Sequence, residues 1–154
     1  MKKLLLIPIL FYVANVYAQD ADSYIEVLKS DIKTNKKALI TQVMQFTDKQ
    51  SEAFWPIYNE FEHELDKLSN QRIANIKDFA ANYDSLSDKK ADELIKKSFN
   101  FLEDRMKLNE KYYEKFAKAL TPVVAAKFIQ LEHQIQLVLD ISIAANLPLA
   151  KKLE

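Results

Sequence analysis

The chain contains no cysteine and no glycine. Without cysteine no disulfide can hold the fold, and no lipid can be attached through an N-terminal cysteine, so stability must come from a packed core. Without glycine, the positive-φ positions of tight hairpins and bulges lack their usual residue. That argues against a β-rich fold of this length, whereas helices need no such position. Only two histidines are present. With no cysteine beside them and no glycine-rich loop, neither a nucleophilic triad nor a phosphate cradle can be assembled, and no enzyme is expected.

What is present begins with an export pattern. Lys2 and Lys3 give a positive start, Leu4 to Val13 is an apolar run, and Val16-Tyr17-Ala18 precedes a cleavage point ahead of Gln19. Residues 1–18 therefore read as a bacterial secretory signal, with delivery to the periplasm. The apolar run is shorter than the ~20 residues of a spanning helix, so no stable membrane anchor is expected after cleavage. Residues 19–154 then form a single domain. Without Lys2 and Lys3, 20 basic side chains face 22 acidic ones, and no basic surplus remains to bind nucleic acid. The clusters Lys33, Lys36, Lys37 and Lys89, Lys90, Lys96, Lys97 read as solvated helix faces.

Three segments have the chemistry of helix starts: Phe46-Thr47-Asp48-Lys49-Gln50, Leu86-Ser87-Asp88-Lys89-Lys90 and Leu120-Thr121-Pro122-Val123-Val124. In each, a hydroxyl can accept from free N–H groups of the first turn, and Asp or Pro follows it. Gln50, three residues after Thr47, completes a capping box. Together with the start of the exported chain these give four long helices, over about 21–45, 48–83, 88–119 and from Pro122 to Asn146. Pro56 falls inside the second. Trp55 has no oxygen with which to cap a new helix, and the apolar stripe stays in phase across the proline, so a kinked single helix is expected instead of a break. The fold class is all-α: a thin, curved, antiparallel helical layer.

These features resemble the Spy/CpxP-like family of periplasmic stress proteins, known by a Leu-Thr-x-x-Gln motif. Phe46-Thr47-x-x-Gln50 matches with Phe in the first place; Leu120-Thr121 opens a second copy in which Val124 replaces the glutamine. The resemblance implies a homodimeric cradle that holds unfolded envelope proteins without ATP, or a metal-responsive or stress-signalling accessory that binds one partner. It also implies that Phe46, Thr47, Gln50, Leu120 and Thr121 cap and brace helices. This chain departs from the basic charge usual for such a cradle.

Two constellations are candidate sites. Glu60-Phe61-Glu62-His63 carries the Glu-x-x-His spacing of a carboxylate and an imidazole on one helix face, but its counterpart, Gln130-Leu131-Glu132-His133, has glutamine in place of the glutamate. A di-metal centre needs both, so the weaker candidates are surface sites at His63 or His133 with Glu60 or Glu132, and no cofactor is expected. The second constellation is aromatic. Phe54, Trp55, Tyr58 and Phe61 beside Pro56, with Tyr112 and Tyr113, are expected to line a concave client-binding surface, because a thin layer of helices has little interior to hide them.

Overall fold

The structure, a computed structural model, describes residues 35–150. These contain four helices and no strand: α1, helical over residues 35–44; α2, Asp48–Asn82, followed by the 3-10 turn Tyr83–Ser85; α3, Asp88–Ala119; and α4, Pro122–Asn146. The export segment and the first half of the expected opening helix lie outside the described residues.

Each predicted cap is made. Gln50 N donates to Thr47 Oγ1 and Thr47 N to the Gln50 side chain, the reciprocal pair of a capping box. Ser87 Oγ accepts from Lys90 N, and Thr121 Oγ1 from Val124 N. The α2 helix runs unbroken through Pro56. The carbonyl that loses its donor there belongs to Glu52, and both residues are exposed, so the proline falls on the solvent side of the helix, where a lost main-chain hydrogen bond costs least. Asn146, a residue type that tolerates the left-handed cap conformation, does not adopt it here. It stays helical and Leu147 turns extended, as a residue preceding proline must. The one described residue with positive φ is Gln45, at 51°, which ends α1 while its N–H reaches back to Thr41 O. A chain without glycine has put a side chain where glycine is usual.

The helices close into an antiparallel bundle, not a single layer. α3 packs against α2 and α4, and α1 bridges α2 and α4, with Lys36 reaching Glu62 on one and Glu132 on the other. Antiparallel register between α2 and α3 is fixed by Glu60 to Lys115, Glu64 to Lys111 and Asp78 to Lys90. Inside, Phe128 is a hub: its ring lies 4.8 Å from Phe116, 5.0 Å from Phe54 and 5.8 Å from Phe61. Ile40, Met44, Leu65, Leu108 and Leu131 complete the core.

Closure overturns the expected aromatic surface. Phe54, Tyr58, Phe61 and Tyr112 are all buried in this core, because α1 and α4 pack over the face they share, with Ile40 and Phe128 against them. Of the six expected surface aromatics, Trp55 is half-buried, donating from Nε1 to Ser51 Oγ, and only Tyr113 is exposed.

Candidate functional site

Charged residues at core register form the first unusual feature. Glu62 stands four after Tyr58, Arg105 three before Leu108, Glu132 four after Phe128, and Lys36 four before Ile40, each on the face its helix turns inward. One from each helix, they meet. Lys36 Nζ lies 2.5 Å from Glu62 Oε1, hydrogen-bonds Glu132 Oε1 at 3.1 Å and sits 2.9 Å from Oε2 as an ion pair. Arg105 donates to Glu132 Oε1 at 2.8 Å and to Gln136 Oε1 at 2.6 Å. Gln136 in turn donates to Asp140, which pairs with Arg72, whose guanidinium lies over Phe101. Burial pulls Arg105 below the usual arginine range, against the Glu132 carboxylate that raises it.

Lys36 and Glu132 are therefore corrected from surface residues to the buried centre of a charge network. Glu132 is occupied by two cations and is no partner for a metal at His133. His63 and His133 are exposed, and Glu60 is held by Lys115. Among the described residues, no three His, Cys, Asp or Glu side chains are grouped to hold a metal ion.

The second feature lies outside. Along α3, Ile95, Phe99, Leu102 and Met106 are 50–60% exposed, and Tyr113 continues the line. Their spacing of four, three, four and seven puts them on one face, next to the face of Leu94, Leu108, Tyr112 and Phe116 that enters the core. Taking about 200 Å² for a large side chain, the stripe offers roughly 500 Å² of apolar surface, the size at which exposed patches mark contact sites. On α4, Leu137, Val138 and Ile141 are likewise exposed.

The stripe runs into a groove. At the end of the bundle where α2 turns into α3, a cavity of about 430 Å³ is lined by Ile76 and Phe79 of α2, Leu86 of the turn, Leu94 and Ile95 of α3, and Leu147 beyond α4. Asn75, Asp92 and Ser98 are its polar lining.

No protein-family model, curated protein or solved structure matches this chain. The Spy/CpxP-like resemblance rests on its capping motifs, and those residues do cap: Thr47 and Gln50 on α2, Thr121 on α4, with Phe46 and Leu120 packed against the core.

Sequence reasoning did not single out the stripe. The available signal was width: residues 94, 101 and 108 and residues 95, 102 and 106 lie about 100° apart around a helix, too broad a band for a single packed stripe. The network had a signal of its own in the charges at core register.

Proposed function

We propose that this chain is an exported, ATP-independent protein that holds partly unfolded envelope polypeptides, and that it is not an enzyme. The observation that carries the reading is the α3 stripe, four large apolar side chains each half exposed or more over about three turns. A helix that keeps such a row in water presents a surface suited to transient apolar contact. Around it stand paired charges, Lys96 with Asp92 and Lys107 with Glu103, which keep the free protein soluble without a net field that would select one charge of client. The secretory pattern at residues 1–18 and the Spy/CpxP-like capping motif agree with this role. The client-binding assignment moves from the buried Phe54, Tyr58, Phe61 and Tyr112 to Phe99, Leu102, Met106 and Tyr113.

The test is aggregation of a chemically unfolded client with purified residues 19–154 and no nucleotide. Leu102→Glu with Met106→Glu should abolish suppression while leaving helicity unchanged. Undiminished suppression by that variant would remove the stripe from the site.

The flanking charges favour a second reading of the same surface, a homodimer. If two α3 helices cross antiparallel about Asp104, Ile95 faces Tyr113 and Leu102 faces Met106 of the second copy. Lys96 then meets Glu110 and Glu114, and Lys107 meets Glu103, all opposite in sign. Mass measured against concentration separates the two readings, since a dimer lost in Met106→Glu assigns the stripe to a second copy. A dedicated signalling or metal-responsive partner would give one specific complex and no general suppression.

A further inference from the structure

The fully buried core occupies one half of the bundle. Ile40, Phe54, Phe61, Tyr112, Phe116 and Phe128 are 0% exposed. All six lie toward the end where α1 joins α2 and α3 joins α4, on one side of the layer formed by Lys36, Glu62, Arg105 and Glu132. Past that layer the packing changes. Among the described residues, α2 buries none after Leu65 and α4 none after Glu132, while α3 before Arg105 buries only Leu94, beside Leu86 of the turn. Grooves of about 700 and 430 Å³ enter this same half, the larger between Ile76, Phe101, Leu102, Ile143 and Leu147. Side chains that border open space forfeit the contacts that close packing would give them.

We propose that the bundle opens in two steps at the charged layer: the half that carries the α2–α3 turn comes apart as one cooperative unit while the aromatic half stays folded. Three observations set the boundary there. Burial is concentrated on one side of the layer, so the other side has less apolar area to lose on opening. The layer itself favours opening beside it. Lys36, Arg105 and Glu132 were taken out of water at a desolvation cost, and water that enters when the looser half opens relieves that cost, whereas an apolar layer would resist the same water. The looser half is also tied across its helices, which makes it open together. Asn75 donates to Leu94 O at 3.1 Å and to Ser98 Oγ at 3.0 Å, Asp78 pairs with Lys90 at 2.7 Å, and Arg72 pairs with Asp140 at 2.5 Å, so α2 cannot leave without disturbing both α3 and α4. This device goes beyond the holding reading and stands without it. Within that reading it adjusts the extent of the apolar surface, because Leu102 belongs to both the stripe and the larger groove, and opening bares Ile76, Phe101 and Ile143 beside it.

The experiment is native-state amide exchange of residues 19–154 at a series of low urea concentrations, resolved residue by residue by NMR. Amides of residues 94–101 and 139–143 are expected to share one opening, with a urea slope below that of global unfolding, and to exchange about a hundredfold or more faster than those of residues 58–61, 112–116 and 128–131. Ile40→Val, in the aromatic half, should speed the second group about fivefold and leave the first within about twofold, because Ile40 stays packed while the looser half is open. The triple variant Lys36→Met, Glu132→Leu, Arg105→Met should narrow the gap between the groups by about tenfold or more, since opening then wets apolar side chains instead of charges. Equal protection on both sides of the layer overturns the proposal, and so does an Ile40→Val variant that speeds both groups alike. Rates that rise smoothly toward the α2–α3 turn with no shared urea slope overturn it in favour of fraying. A gap that the triple variant leaves unchanged overturns the part assigned to the charged layer. Should the triple variant not fold, the Ile40→Val comparison decides by itself. None of these readings involves a client, so the two-step opening can fall while suppression of aggregation stands, and the reverse.

Discussion

Replacing Glu132 should be the most destabilising single change in the charge network, and the structure says by roughly how much. Its side chain is 2% exposed and holds two cations that are themselves buried, Lys36 at 6% and Arg105 at 9%. In Glu132→Gln, Lys36 keeps Glu62, but Arg105 keeps only the neutral Gln136, and the two cations face each other with no carboxylate between them. Removing one partner of a buried pair costs about 3–5 kcal/mol, and this geometry places Glu132→Gln within that range. Lys36→Met and Arg105→Met should each cost less, about 1–3 kcal/mol, because Glu132 retains the other cation. The decisive variant is the triple Lys36→Met, Glu132→Leu, Arg105→Met. If the network stabilises through mutual neutralisation, its removal as a unit should be within about 2 kcal/mol of wild type or better, since desolvation of three charges is no longer required. Urea denaturation monitored at Trp55, the only tryptophan, gives the free energies, with an unchanged m-value as the check on two-state behaviour. The network reasoning is refuted if Glu132→Gln loses under 1 kcal/mol, or if the triple variant is worse than Glu132→Gln. Because the charges are buried, the losses should also barely change between low and high salt.

Three further outcomes are expected. Phe128→Ala removes the ring shared by Phe54, Phe61 and Phe116 and should cost about 3–5 kcal/mol in the same denaturation assay. Gln45→Gly relieves a left-handed residue that is not glycine, and should raise the melting temperature by stabilising about 0.5–1 kcal/mol after the larger entropy of the unfolded glycine is counted. Stability should also fall at both pH extremes. The hydrogen bond from Lys111 holds the Glu64 carboxyl below its ordinary 4.5, so that contribution is present above pH 4.5 and lost as pH falls through the folded value. Burial, and then the hydrogen bond to Glu64, pushes Tyr112 above its ordinary 10, so its contribution is present below pH 10 and lost above it. Glu64→Gln should flatten the acid limb, as read from denaturation midpoints at pH 6 and pH 3.

How much of this was legible in the chain differs from element to element. Thr47, Ser87 and Thr121 fixed the starts of three helices, because a cap is a contact between residues three apart and needs no knowledge of the rest of the fold. The passage of α2 through Pro56 was equally local, since Trp55 could not cap and the apolar phase did not break. The absence of glycine and the periodicity of the apolar residues settled the all-α class.

Whether Phe54, Tyr58, Phe61 and Tyr112 face water or core was not a local matter. Periodicity puts them on one face, but only the placement of α1 and α4 decides whether that face is covered, and in the structure Ile40 and Phe128 cover it. The same holds for charge. Lys36, Glu62, Arg105 and Glu132 each read as unremarkable on its own helix, and their pairing spans up to 96 residues of chain. Ile95, Phe99, Leu102 and Met106 show the converse: their periodicity looks like core, and among the described residues no helix lies against them. Sequence determines which residues share a face. The tertiary structure alone determines what that face meets, because burial is a property of neighbours brought together from distant parts of the chain.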